Sequence, residues 1–222
     1  MAAEQSGILT RQLVEQIVRE VVLKKLRAPD GQAPKLTVLA SARHMHVCRE
    51  DLDVLFGPGH ALTVEHPLFQ EGNFAAQETV TLIGPRSRLI SNLRILGPMR
   101  KESQVELAFT DAISLGIDVP IRLSGNIEGT PGCLIMGPKG VVELERGVIR
   151  AAIHVHMNPD EAAHFGVKQD DVMNLRVGGD AGVTFNRVHV RIDPASRLNV
   201  HMDTDEANGC GLHLARDIEL FK

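Results

Sequence analysis

The stretch Arg43-His44-Met45-His46-Val47 returns 110 residues later as Ile153-His154-Val155-His156-Met157. Each copy runs into an acidic helix start, Arg49-Glu50-Asp51-Leu52 after the first and Pro159-Asp160-Glu161-Ala162 after the second. On a strand, residues i and i+2 share a face, so each His-x-His projects two imidazoles side by side. Further on, Gln104-Val105-Glu106-Leu107 aligns with Asn199-Val200-His201-Met202, and Thr110-Asp111-Ala112 with Thr204-Asp205-Glu206-Ala207. The order of these matches makes the body of the chain two copies of one unit, 33–125 and 126–222, with exchange of strands between the copies allowed.

Between these landmarks the chain reads as short strands separated by Gly and Pro turns: 36–40, 78–83, 89–96, 103–109, 119–123, 141–144, 148–156, 172–177, 183–191 and 197–202. Only 49–56 and 159–165 read as helices in this region. The expected fold is mainly β with short helices: two tandem related β-barrel domains behind an N-terminal amphipathic helix. That helix is expected over 8–27, where Leu9, Leu13, Ile17 and Val21 recur every four residues, and residues 28–31 (Ala-Pro-Asp-Gly) break it. Residues 1–32 then form a helix and linker. The helix packs on its own domain or in a dimer, or it is detachable and addresses the chain to a partner surface.

Composition narrows the function. Aromatic residues are 3% of the chain, Trp and Tyr are absent, and the formal net charge is -4, which argues against nucleic-acid binding. No apolar run is long enough for a membrane span, and the N-terminus lacks the order of a secretion signal. Three Cys (Cys48, Cys133, Cys210) fit a reducing cytosol and no disulfide framework.

Neutral imidazole is a standard ligand of divalent cations. The repeat supplies a third ligand to each pair, which predicts a His44-His46-Glu106 site and a His154-His156-His201 site. Three protein ligands with a fourth position open is the pattern of a catalytic zinc, and other divalent ions suit the same donors. Arg100 and Arg191 each sit one loop ahead of a third ligand, and a guanidinium fork suits phosphate. His60, His66, His164, His189 and His213 are read as structural. Cys133 has no His neighbour in sequence and is not read as a nucleophile.

Several of these motifs together resemble the PduL-type phosphate acyltransferases, or phosphate propanoyltransferases. They are Ser41-Ala42-Arg43-His44-Met45-His46, Gly97-Pro98-Met99-Arg100, the 104–106 strand, Ser124-Gly125 through Gly129-Thr130-Pro131-Gly132-Cys133, and residues 201–208. The resemblance runs over about residues 36–213. It implies two β-barrel domains with a dimetal site between them, built from the six ligands above and holding two zinc ions. The implied reaction is acyl-CoA plus phosphate giving acyl phosphate plus coenzyme A, in either direction. It casts Arg100 and Arg191 as phosphate-handling residues, with Gln77, Gln104 and Ser124 as pocket residues. Ser124 is also a candidate stabiliser of the tetrahedral oxyanion. Such enzymes often work in the lumen of a bacterial microcompartment, which makes 8–27 a candidate encapsulation helix for shell or cargo partners and implies a cytoplasmic, dimeric protein. The family often has a basic residue before the second His-x-His; this chain has Ile153, with Arg150 further back. The competing readings are a dimetal thioester hydrolase and a non-catalytic metal-binding cargo protein.

Overall fold

Two strands three or four residues long, each carrying a His-x-His, lie inside their sheets because the residue between the two His is fully buried. Met45 and Val155 are each 0% exposed and point into separate apolar clusters. Full burial of such a side chain contributes about 1.5–3 kcal/mol. The opposite face of each strand is left to the imidazoles.

The computed structural model describes residues 34–222. The expected helix over 8–27 and its linker lie outside the described residues. The strands are β1 (Thr37–Ser41), β2 (His44–His46), β3 (Val64–Pro67), β4 (Phe74–Ile83), β5 (Leu89–Gly97), β6 (Gln104–Glu106), β7 (Ile121–Arg122) and β8 (Cys133–Met136). They continue with β9 (Val141–Leu144), β10 (Val148–Ala151), β11 (His154–Met157), β12 (Val172–Gly178), β13 (Val183–Ile192), β14 (Asn199–Asp203) and β15 (Asp217–Phe221). Four short α-helices intervene: α1 (Arg49–Phe56), α2 (Phe109–Leu115), α3 (Pro159–Phe165) and α4 (Thr204–Gly209). The protein is therefore mainly β, as the turn-punctuated sequence predicts, with its strands in two curled sheets.

The sheets repeat one another. The first runs β7-β10-β6-β2-β5-β4-β8-β9, with β3 alongside β4; the second runs β1-β14-β11-β13-β12-β15. In both, the His-x-His strand is central. It is antiparallel to the strand carrying Glu106 or His201 and parallel to its other neighbour. In both, the outer partner of the third-residue strand comes from the other half of the chain: β1 completes the second sheet and β10 the first, each in parallel pairing.

That arrangement corrects one expectation. The run 148–156 reads as a single strand, but it is two, β10 and β11, which enter different sheets. The run carries no Gly, Pro or other turn residue, so nothing in its composition marks the change of sheet at Ala152 and Ile153. The expected strand 103–109 stops at Glu106, and α2 begins at Phe109. This helix is hard to read because its N-cap, Ala108, offers no side-chain acceptor. By contrast, α3 and α4 carry complete capping boxes, Asn158 with Glu161 and Asp203 with Glu206. At α1 the box is closed through a third residue: the Cys48 N–H donates to Ser103 Oγ at 3.0 Å, and the Ser103 hydroxyl donates to Asp51 Oδ2 at 2.5 Å. No helix among the described residues is long and apolar enough to cross a membrane.

Candidate active site

Register decides which side chains meet. On the antiparallel β2/β6 ladder His44 stands opposite Glu106, and on β11/β14 His154 stands opposite His201. Directly opposed residues on one face have Cβ atoms about 5 Å apart, so each His-x-His acquires a third polar neighbour. The equivalence of Glu106 and His201 read from the repeat is thus a spatial one.

In the first trio, His44 Nε2 lies 3.5 Å from Glu106 Oε2 and His46 Nε2 lies 3.8 Å from Glu106 Oε1. Among the described residues, this is the one group of His, Cys, Asp or Glu side chains whose ligand atoms all lie within 4.8 Å of one another. In the second trio the rings of His154, His156 and His201 gather with centroids 4.9–5.3 Å apart. All six residues are buried or half-buried and line one cleft of about 990 Å³.

The donors suit a divalent cation. His44 Nδ1 and His154 Nδ1 each lie 2.8 Å from the carbonyl oxygen two residues earlier, Ala42 and Ala152. Donation to a carbonyl fixes the proton on Nδ1 and leaves Nε2 as a bare lone pair toward the cleft. His201 Nδ1 is held by Ser41 Oγ at 3.0 Å, while its Nε2 is buried with no hydrogen-bond partner, as is His46 Nδ1. The unpartnered buried His201 Nε2, in a group of imidazoles, is what a cation would satisfy.

Burial favours the neutral form of four of these rings. Burial, then the neighbouring His44 and Arg100, lower His46 to about 3. Burial, then His154 and His201, lower His156 to about 3, and burial followed by His154 lowers His201 to about 4. His154 is lowered too, chiefly by burial. Burial alone would raise Glu106, but His44, His46 and the Ser124 hydroxyl outweigh it and hold its carboxyl below the usual range. Folded-state values below the ordinary 6.5 mean that the unfolded chain binds more protons. The stabilisation is complete above pH 6.5 and is lost as pH falls toward 4 and 3. For these three His, the unfolding free energy of metal-free protein is expected to drop by up to about 4 kcal/mol between pH 6 and 5. Urea titrations at the two pH values check this, and equal midpoints would refute the burial argument.

Arg100 and Arg191 also line the cleft. Arg100 donates from Nη1 to Ser124 Oγ at 2.8 Å. None of the arginine–carboxylate pairs among the described residues uses either one. Desolvation lowers the Arg100 pKa first; Glu106 opposes the shift and the charge of Arg191 adds to it. Two guanidiniums that feel one another across a cleft, with no carboxylate paired to either, have the charge and donors to hold an anion.

Ser124 is the junction of this wall. Its hydroxyl donates to Glu106 Oε1 at 2.7 Å and accepts from Arg100 and from Gln104 Nε2, the latter at 2.9 Å. Gln104 is 2% exposed and does not line the cleft. It lies behind the wall, donating to Glu106 Oε1 at 2.7 Å and accepting the Gly125 N–H at 2.7 Å. Gln77 is not brought to the site; it is exposed on β4, and its backbone N–H pairs with Thr63. Cys133 is buried away from the cleft, and burial pushes its thiol up to about 12, which makes it inert.

Two contributors were missed in the sequence reading. His66 lines the cleft, although an exposed His before a Pro carries no signal. Gln70 spans the cleft mouth: its Nε2 donates to the Arg197 carbonyl at 2.9 Å and its Oε1 accepts the Arg197 N–H at 3.1 Å, with a further bond to Asn199 Oδ1. Nothing local in Phe69-Gln70-Glu71 points to a partner 127 residues away.

Residues 37–213 match the family model described as phosphate propanoyltransferase. Among curated relatives, the phosphate propanoyltransferase of Planctopirus limnophila is 46% identical, covering 98% of this chain and 93% of its own. That of Thermotoga maritima is 48% identical over 81% of this chain and 86% of its own, and that of Salmonella typhimurium 41% over 91% and 93%. Matches of this extent leave the two trios and the arginine pair inside the shared region, and the chain belongs to the phosphate propanoyltransferase family, enzymes of acyl transfer to and from phosphate.

Proposed function

We propose that this chain interconverts a short acyl-CoA, propionyl-CoA as the first candidate, plus phosphate with acyl phosphate plus coenzyme A. In this reading His44, His46 and Glu106 hold one divalent cation and His154, His156 and His201 a second, zinc being the ion that the donors suit best. Bound cations there supply Lewis acidity toward a thiolate sulfur and a carbonyl oxygen. The observation that carries the proposal is the arginine pair, free of carboxylate partners, in the same cleft as both trios. A hydrolase has no need of an anion site for a second substrate.

Arg100 and Arg191 bind the phosphate dianion and turn one oxygen toward the thioester carbonyl carbon. That oxygen forms the new C–O bond, the C–S bond breaks with its electron pair on sulfur, and coenzyme A leaves as thiolate. Ser124 holds the Arg100 fork in place, and its hydroxyl could serve the developing oxyanion only by giving up its bond to Glu106. Gln104 fixes Ser124 and Glu106 from behind.

The matching order of the His-x-His strand and its neighbours in the two sheets supports reading 33–125 and 126–222 as duplicated units with exchanged strands, β1 entering the second sheet and β8, β9 and β10 the first. Residues 8–27 are read as an addressing helix for a microcompartment interior, on their amphipathic pattern.

Purified protein given propionyl-CoA should release thiol only when phosphate is added, and chelation should remove metal and activity together. Phosphate-independent release would replace this reading with a thioesterase. Ser41 gives a finer check, because it holds the His201 tautomer from the exchanged strand β1. Ser41→Ala should weaken the second cation by about 10- to 100-fold and leave the first unchanged. Competition with a chromophoric chelator reads both.

A further inference from the structure

The strand exchange places one residue where the duplicated unit has no counterpart. Arg150 lies on β10, the strand from the second half that pairs with β6 in the first sheet. Its guanidinium leaves that sheet. Nε donates to the Asp203 carboxylate, Nη2 lies 2.8 Å from Glu206 Oε1, and the guanidinium carbon sits 4.2 Å from the centroid of the Phe109 ring. Asp203 ends β14 and caps α4, Glu206 completes that capping box, and Phe109 opens α2. The Arg150, Asp203 and Glu206 side chains are only 13, 8 and 15% exposed, so the ion pairs are shielded from solvent. A planar fork on two carboxylates with an aromatic face beneath it fixes direction as well as distance.

Beside it a second strut crosses between the sheets. The N-terminus of α2, which lacks a cap of its own, is capped by Asp205 from α4. That carboxylate accepts the Thr110 N–H at 2.9 Å and the Thr110 hydroxyl at 2.5 Å. Glu106 lies three residues before Phe109, and His201 two before Asp203. The two junctions that carry the third residue of each trio are therefore held to one another here. On the other exchanged strand the equivalent position is Ala40, because Leu39 pairs with His201 as Ile149 pairs with Glu106. Ala40 cannot clamp anything, so the device exists on one side only.

We infer that Arg150 is a positioning residue that sets the spacing of the two halves of the cleft, and with it the spacing of the two trios and of Arg100 from Arg191, without touching substrate. The consequence for turnover rests on the function proposed above; the effect on spacing does not. Each trio is built within one sheet, so loss of the clamp leaves both trios whole and misplaces them relative to one another. A misplacement near 1 Å costs up to about 100-fold in rate.

The test uses the full chain carrying Glu143→Cys on β9 and Thr184→Cys on β13, both exposed, with a nitroxide on each; the three native cysteines are buried. In the Arg150→Met background, the inter-label distance distribution from pulsed electron resonance should broaden. Zinc per chain should stay as in the parent, kcat for propionyl-CoA with phosphate should fall roughly 10- to 100-fold, and the phosphate KM should rise. Arg150→Lys, which keeps the charge without the fork, should fall between the two. An unchanged distance distribution overturns the inference, and so does activity lost in step with zinc. Should Arg150→Met fail to fold, Asp205→Ala removes the second strut alone and must broaden the distribution less but in the same sense; no broadening there overturns the inference as well. If the parent itself releases thiol without phosphate, the functional reading fails while the distances still judge the clamp.

Discussion

Arg100→Ala is expected to reduce phosphate-dependent release of coenzyme A by about 100- to 1,000-fold, the cost of removing one preorganised charge-stabilising donor. The side chain sits at the cleft wall with one N–H on Ser124 and no carboxylate partner, so its loss removes half of the anion site. The wall itself should survive, because Ser124 stays bonded to Gln104 and Glu106. Bound zinc and the unfolding midpoint should therefore match the parent. Arg100→Lys restores charge but not the fork, and should recover only part of the rate. Steady-state kinetics in phosphate, with metal analysis on the same samples, decide the matter; parent-like kinetics in Arg100→Ala would end the phosphate role.

Glu106→Gln should remove one of two bound metal equivalents, with an affinity loss beyond about 100-fold, and should abolish most turnover. Glu106 is 9% exposed in β6, between β2 and β10. The amide matches the carboxylate in shape, and its oxygen can accept the bonds now made to Oε1 by Gln104 and Ser124. Its NH2 group then takes the place of Oε2 and faces the His44 lone pair, which gives that buried nitrogen a donor in the metal-free trio and preserves the fold. What disappears is the negative charge that a cation needs among two neutral rings. Elemental analysis giving one metal per chain in the variant and two in the parent is the expected result; two in both would remove Glu106 from the ligand set.

Much of this site is legible in the sequence because its signals are local. His44 and His46 share a face by the two-residue period of a strand, and so do His154 and His156. Glu106 and His201 are found by repeat order alone. Gln77, a pocket residue by resemblance, is exposed on β4 and is not among the residues lining the cleft. Gln104 resembles a pocket residue but acts from behind the wall, because β6 is three residues long and all three are buried. The α2 helix was hidden since its cap, Asp205, is 95 residues away.

Sequence by itself determined the mainly β character, the duplicated order of elements and the residues that make up the two trios. These follow from period, turn chemistry and residue type, which act over a few neighbouring positions. Only the tertiary structure decided that β1 and β10 change sheets and that both trios and both arginines open on one cleft. The Arg150 clamp and the Gln70 bridge belong to it as well. The physical reason is that the partner of a strand edge or a buried charge is selected by which distant surfaces must be covered together. In the turn-free run from Val148 to His156, two pairings in two sheets leave the same local pattern as one long strand.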